Sequence, residues 1–123
     1  MTITKLGNPN AAADRNLETF PIHDSSQEVV LDCREFTCRC PITGQPDWAT
    51  IRIVYRPGDR GVETKSLKLY LETYRDEGIF HEHLATKIRD DVVAALEPTY
   101  CKVTVDFNVR GGIALAASST YEG

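Results

Sequence analysis

Two thiols and a carboxylate lie close together in the stretch Thr37-Cys38-Arg39-Cys40-Pro41-Ile42-Thr43-Gly44-Gln45-Pro46-Asp47. Pro41 holds its own φ at about −65° and biases Cys40 toward extended backbone, so the second thiol sits on a stiff chain. A positioned cysteine, a Gly-containing turn and then an acid can act as a nucleophile with its proton donor, here Cys40 and Asp47. A free thiol titrates at roughly 8.5, so the nucleophile needs a neighbouring cation or helix dipole, and Arg39 or His81 is a candidate source. The same residues also describe an ordinary surface turn, with Asp47 capping amides and Cys40 serving as a small hydrophobe.

Two further groupings carry chemistry. In Glu63-Thr64-Lys65-Ser66-Leu67-Lys68-Leu69-Tyr70, a helix start with free amides, two hydroxyls and two lysines can cradle phosphate; the plainer account is a Thr or Ser cap with solvated lysines. In Phe80-His81-Glu82-His83, Glu82 can accept a pair of N–H groups from a heterocycle while Phe80 or His81 lies against its ring. A first-turn carboxylate favoured by the helix dipole accounts for Glu82 equally well. Cys38, Cys40, His81, His83 and Cys101 also make up enough soft ligands for zinc, at looser spacing than paired C-x-x-C motifs. No G-x-G-x-x-G follows a strand, so a dinucleotide would bind outside a Rossmann fold.

The elements that must position these residues follow from periodicity. Val29, Leu31 and Cys33 alternate with Val30, Asp32 and Arg34, which predicts a strand over 28–36; Ala49, Ile51, Ile53 and Tyr55 define a second over 48–56. The period then changes to helical for Leu67, Tyr70, Leu71 and Tyr74, with Gly78 offering a left-handed stop. A second helix from about Phe80 carries Leu84, Ile88, Val92, Ala95 and Leu96, and Glu97-Pro98 ends it. Cys101 to Val109 alternates again, and Arg110-Gly111-Gly112 turns it into a fourth strand, Ile113 to Ala117. The order strand-strand-helix-helix-strand-strand predicts an α+β layer: an antiparallel four-stranded sheet with both helices on one face. Open sheet edges are a liability, so joining them between subunits predicts a ring-shaped oligomer with sites at subunit boundaries. Residues 1–25 read as an arm that packs late or on a neighbouring subunit, and 26–123 as a single domain.

Composition agrees with a single core in a chain of 123 residues. A formal net charge of −4 gives no hint of a nucleic-acid groove. No apolar run spans a bilayer, and residues 1–16 lack the apolar stretch of a signal peptide, so a cytoplasmic setting with reduced cysteines is expected.

Taken together and in order, Glu35-Phe36-Thr37 leading to Cys40-Pro41, Thr43-Gly44-Gln45-Pro46-Asp47, Glu63 to Tyr70, Phe80-His81-Glu82 and Arg110-Gly111-Gly112 resemble the NADPH-dependent 7-cyano-7-deazaguanine reductases, the nitrile reductases of queuosine biosynthesis. The resemblance spans nearly all of 29–112. It implies a tunnelling fold, ββααββ, assembled into a barrel of two stacked pentamers. Cys40 would be the nucleophile and Asp47 the proton donor. Val62, Glu63, Thr64, His81 and Glu82 would hold the deazapurine, with Glu82 anchoring its aminopyrimidine edge. Lys65, Ser66 and Lys68 would face NADPH.

The implied reaction is addition of the Cys40 thiolate to the nitrile carbon with a proton passed from Asp47 to nitrogen, giving a thioimide that two NADPH reduce in turn to the aminomethyl product. Asp47 must then start protonated, which burial would favour. No metal, nucleic acid or membrane is implied. Thr64 stands where the family usually has Ser or Leu, keeping a hydroxyl on a stiffer side chain. Cys38 is either a packed thiol or an oxidative partner for Cys40. Two other functions fit parts of the pattern: a zinc-dependent tunnelling-fold hydrolase of the GTP cyclohydrolase I type, and a non-enzymatic purine- or pterin-binding module.

Overall fold

The computed structural model describes residues 2–123. Four long strands form one antiparallel sheet in the order β2 (Val29–Arg39), β3 (Pro46–Arg56), β5 (Tyr100–Arg110) and β6 (Ile113–Glu122). Between β3 and β5 come β4 (Arg60–Val62), α1 (Thr64–Glu72) and α2 (His81–Leu96). The ββααββ order is the expected one. An unforeseen addition is β1 (Thr19–Pro21), which pairs antiparallel with β4 as a separate two-stranded sheet.

The core lies between the helices and one face of the sheet. Alternation sends Ile51, Ile53 and Tyr55 of β3 and Cys101, Val103 and Val105 of β5 inward, where they meet Leu84, Ile88, Val92 and Leu96 of α2. Burying each large aliphatic side chain contributes about 1.5–3 kcal/mol. Val109 continues the alternation in sequence but is 64% exposed, because β5 runs past the end of the helical layer.

The first strand is longer than 28–36 and changes phase inside. Cys33 faces Ile51 and Phe36 faces Ala49, so Arg34 and Glu35 together oppose Thr50 in a β-bulge. Before the bulge the odd residues Leu31 and Cys33 turn toward the core; after it Phe36 and Cys38 do. The β5–β6 hairpin closes as expected: Arg110 pairs with Ile113 across Gly111 and Gly112, at φ +57° and +78°. Both positions need the left-handed region, as a type I′ turn requires.

The helix boundaries correct two expectations. Glu63, neither Thr nor Ser, caps α1, its carboxylate accepting from the amides of Lys65 and Ser66. Gly78 is not a left-handed stop, since it is absent from the positive-φ glycines. α1 ends by Glu72, and the chain continues through turns to Gly78, which forms a parallel bridge with Arg39.

The N-terminal arm packs on its own chain. Glu18 accepts from the Thr4 amide (2.9 Å), the Thr4 hydroxyl (2.5 Å) and the Lys5 amide (3.0 Å), while its own amide donates to Ser66 Oγ (2.9 Å). Arg15 reaches Thr73 and Glu77 and lies over the Tyr74 ring. Among the described residues, no helix is long and apolar enough to cross a membrane.

Candidate active site

Cys40 follows directly on β2, and its loop is closed by its own backbone. The Cys40 amide donates to Gln45 O and the Gly44 amide donates to Cys40 O, both at 2.9 Å, with Gly44 at φ +73°. This fold directs the Thr43 hydroxyl, then the Thr43 and Ile42 amides, at the thiol, and they lower its pKa below the ordinary value. The stabilising groups are therefore in the loop. Arg39, one of the two expected sources, is committed elsewhere, donating to Gly44 O (2.9 Å) and Asp76 (3.0 Å). His81, the other, sits on Asp47.

Cys38 has the opposite character. It is fully buried, faces Asp47 across the β2–β3 pair, and burial first, then the nearby Asp47 charge, pushes its thiol up to about 12. That matches the packed-thiol account and leaves Cys40 as the reactive member of the pair.

Asp47 is the second residue of β3 and is 1% exposed. Arg110 of the β5–β6 hairpin donates to its Oδ1, and His81 Nε2 lies 3.4 Å from its Oδ2. The His81 ring stacks on Phe107 with centroids 3.4 Å apart and planes 3° from parallel, which fixes the imidazole on the carboxylate. Glu82 follows His81 in the first turn of α2 and is exposed. Cys40, Asp47, His81 and Glu82 thus gather at one end of the sheet.

Arg110 and Phe107 were missed as site residues. Arg110 was visible only as part of a turn motif, and Phe107 only as one more inward residue of β5.

Val62, Glu63 and Thr64 lie at the other end. The Val62 amide donates to the Tyr55 hydroxyl (3.1 Å), and Tyr55 pairs with Val29 and Cys101. Tyr55 and Asp47 sit at opposite ends of β3, about 26 Å apart at ~3.3 Å per residue. Thr64 also lines the groove that reaches Thr37, whose strand partner Trp48 follows Asp47.

The phosphate cradle also changes. The amides of Lys65 and Ser66 are already bonded to Glu63, and the fully buried Ser66 hydroxyl donates to Glu63 O (2.7 Å) while accepting from Glu18 N. Lys68 and Thr64 are exposed and line, with Arg34 and Arg75, a groove of about 520 Å³ floored by Leu31, Phe36, Leu67 and Leu71. Residues for the zinc alternative are not assembled: Cys101 is at the Tyr55 end, and no three His, Cys, Asp or Glu among the described residues could hold one ion.

A cysteine in a constrained loop and a buried carboxylate, at one end of a ββααββ layer, are residue types that can serve as nucleophile and acid. Comparison with known proteins gives the family. The family model described as QueF-like protein matches residues 46–122. An NADPH-dependent 7-cyano-7-deazaguanine reductase of Frankia casuarinae is 80% identical over 98% of this chain and 97% of its own length. The Syntrophus aciditrophicus protein of the same name is 51% identical over 98% of this chain and 86% of its own. The crystal structure of the archaeosine synthase QueF-Like in the apo form superposes with a TM-score of 0.73 at 29% identity, covering 78% of this chain and 94% of that one. The chain belongs to the family of NADPH-dependent 7-cyano-7-deazaguanine reductases.

Proposed function

We propose that this chain reduces the nitrile of 7-cyano-7-deazaguanine to the aminomethyl group, through a thioimide on Cys40. The observation that carries the reading is the pairing of a loop-stabilised Cys40 with the buried Asp47. Cys40 as thiolate adds to the nitrile carbon, forming C–S and breaking one C–N π bond, while Asp47, which takes up a proton as substrate displaces Arg110 from its carboxylate, passes that proton to nitrogen. Both Asp47 oxygens have partners, so one must give way to substrate; Arg110, the more exposed of the two, has room to move. Glu82, exposed beside the fixed His81, accepts N–H groups of the aminopyrimidine edge.

NADPH, when bound, supplies the hydride for each of the two reductions. Lys68, with Arg34 and Arg75, offers cations along the β2–α1 groove, which is large enough for part of a dinucleotide and runs toward Thr37. Lys65 lies at the helix start, outside the residues that line the groove, whereas Ser66 holds the helix and arm together.

In a homo-oligomer the base-lining segment Val62-Glu63-Thr64 serves a neighbouring protomer's Cys40, a reading supported by the length of β3 between Tyr55 and Asp47. Exposed apolar side chains at the Cys40 end, Ile42, Trp48, Phe80, Val109 and Ile113, and the outer edges of β2 and β6 support such contacts. Two stacked pentamers, in the cytoplasm, remain the arrangement that fits the family. The deciding experiment is mass spectrometry after mixing with 7-cyano-7-deazaguanine without NADPH. An adduct on Cys40, absent in Cys40→Ala, is expected; bound substrate without an adduct would overturn the proposal.

A further inference from the structure

The connection between α1 and α2 touches the nucleophile from outside its own loop. The Arg39 amide donates to Glu77 O (2.9 Å) and the Ile79 amide to Arg39 O (3.2 Å), so this segment joins the end of β2 through a single parallel bridge. Arg39 also bridges the two sides through its guanidinium, donating to Gly44 O (2.9 Å) within the Cys40 loop and to Asp76 (3.0 Å) in the connection. Between these bonds lies Gly78. A Cβ there would meet the Pro41 Cα at 3.0 Å, tighter than about nine in ten such contacts, and the atom in the way is backbone with no rotamer to escape into. Since Gly78 does not adopt positive φ, this approach is the reason for a glycine at the position.

The same segment governs the acid. Two residues after Ile79, His81 reaches Asp47 Oδ2, so the residues from Asp76 to His81 contact both reacting groups' supports. Glu77 is in turn held by Arg15 of the N-terminal arm (2.9 Å).

We propose that Asp76–Ile79 is a positioning strut for the Cys40 loop, with Gly78 as the position where a methyl group would press on the Pro41 backbone, next to the thiol-bearing residue, and shift it by a few tenths of an ångström. The proposal rests on Cys40 being the nucleophile, and it concerns how the thiol is held, whatever electrophile it attacks. Displacing the loop moves Thr43 and Ile42 relative to the sulfur and so removes the groups that stabilise the thiolate.

The test is the rate of Cys40 alkylation by iodoacetamide against pH, with the modified residue located by mass spectrometry and circular dichroism as a check on folding. Gly78→Ala is expected to react about tenfold more slowly at pH 7, with its half-maximal pH moved upward. Arg39→Lys keeps the charge but cannot bridge Gly44 O and Asp76 at once, and is expected to slow alkylation by a few-fold. It is a surface change that leaves folding intact, so it decides the matter if Gly78→Ala does not fold. Wild-type pH profiles in the folded variants would overturn the strut. Because no nitrile is used, that result would leave the assignment of the substrate untouched.

Discussion

Arg110 and Asp47 stand 63 residues apart in sequence and form an ion pair at the base of the candidate site, between a hairpin tip and the first residues of β3. Asp47 is 1% exposed and Arg110 is half exposed, so the carboxylate relies on the guanidinium more than the reverse. Arg110→Ala should lower Tm by several degrees at pH 7, and the loss should shrink in an Asp47→Asn background. Thermal unfolding of the single and double variants checks this; additive losses would mean that the two residues are not coupled.

Proton delivery is a separate matter from binding. Asp47→Asn keeps a side chain of the same shape but has no proton of suitable acidity to pass to nitrogen. It should bind 7-cyano-7-deazaguanine with little change and reduce it at least about a hundredfold more slowly. Titration calorimetry with steady-state turnover separates the two, and unimpaired turnover would remove Asp47 from that role.

The thiols should differ sharply. Cys40, lowered chiefly by the Thr43 hydroxyl, should reach half-maximal alkylation at a lower pH than the same cysteine in the denatured chain, and Thr43→Val should move that midpoint upward. Cys38, pushed up to about 12, and Cys101, to about 11, should stay unmodified in the native protein until denaturant is added. Peptide mapping after a short pulse of reagent reads all of them together.

Glu18 makes the docking of the arm sensitive to acid. Three donors from Thr4 and Lys5 lower its carboxyl below its ordinary 4.5, the Thr4 hydroxyl contributing most. A depressed folded-state value means the stabilisation is full above about pH 4.5 and is lost as pH falls through that lower value. Glu18→Gln should cost about 5 °C in Tm at pH 7, and the difference from wild type should vanish near the acid end of the folded range. A difference constant with pH would contradict it.

A shared site makes a prediction about mixtures. Cys40→Ala lacks the nucleophile, and Thr64→Arg blocks the base-lining segment at an exposed position, so each should be inactive alone. Refolded together in equal amounts, they should recover about a quarter of wild-type activity, the chance that an intact Cys40 meets an intact Thr64 across a boundary. No recovery would place both residues in one protomer's site.

Much of this was legible in the residues. Alternation in Ala49 to Tyr55 and Cys101 to Phe107 predicted the core face of the sheet because both strands are buried against helices on one side. Cys40 and Asp47 stood out as candidates because Pro41 and Gly44 constrain the loop between them, but the loop alone fitted a surface turn equally well, and their proposed roles came from the resemblance over the whole of 29–112. Other features were hidden because they depend on approach in space. Nothing around Gly78 announces Pro41, and nothing in Arg110-Gly111-Gly112 distinguishes a turn from an ion-pair partner. Glu63 displaced Thr and Ser as the cap because a longer carboxylate reaches two amides at once. Arg39 looked like the thiol's cation by adjacency, but its side chain leaves the strand on the outer face.

The bulge at Arg34–Glu35 makes the location of the nucleophile a matter of counting. Every residue after it keeps its side of the sheet because the bulge absorbs that one extra position: deleting either Arg34 or Glu35 would leave Phe36 opposite Ala49 and facing inward, whereas keeping both in a strand without the bulge would shift the frame of Phe36 to Arg39 without altering any residue named in the chemistry. Phe36 and Cys38 would turn to solvent, Thr37 and Arg39 would turn to the core, and Cys40 would leave its sheet end pointing the other way.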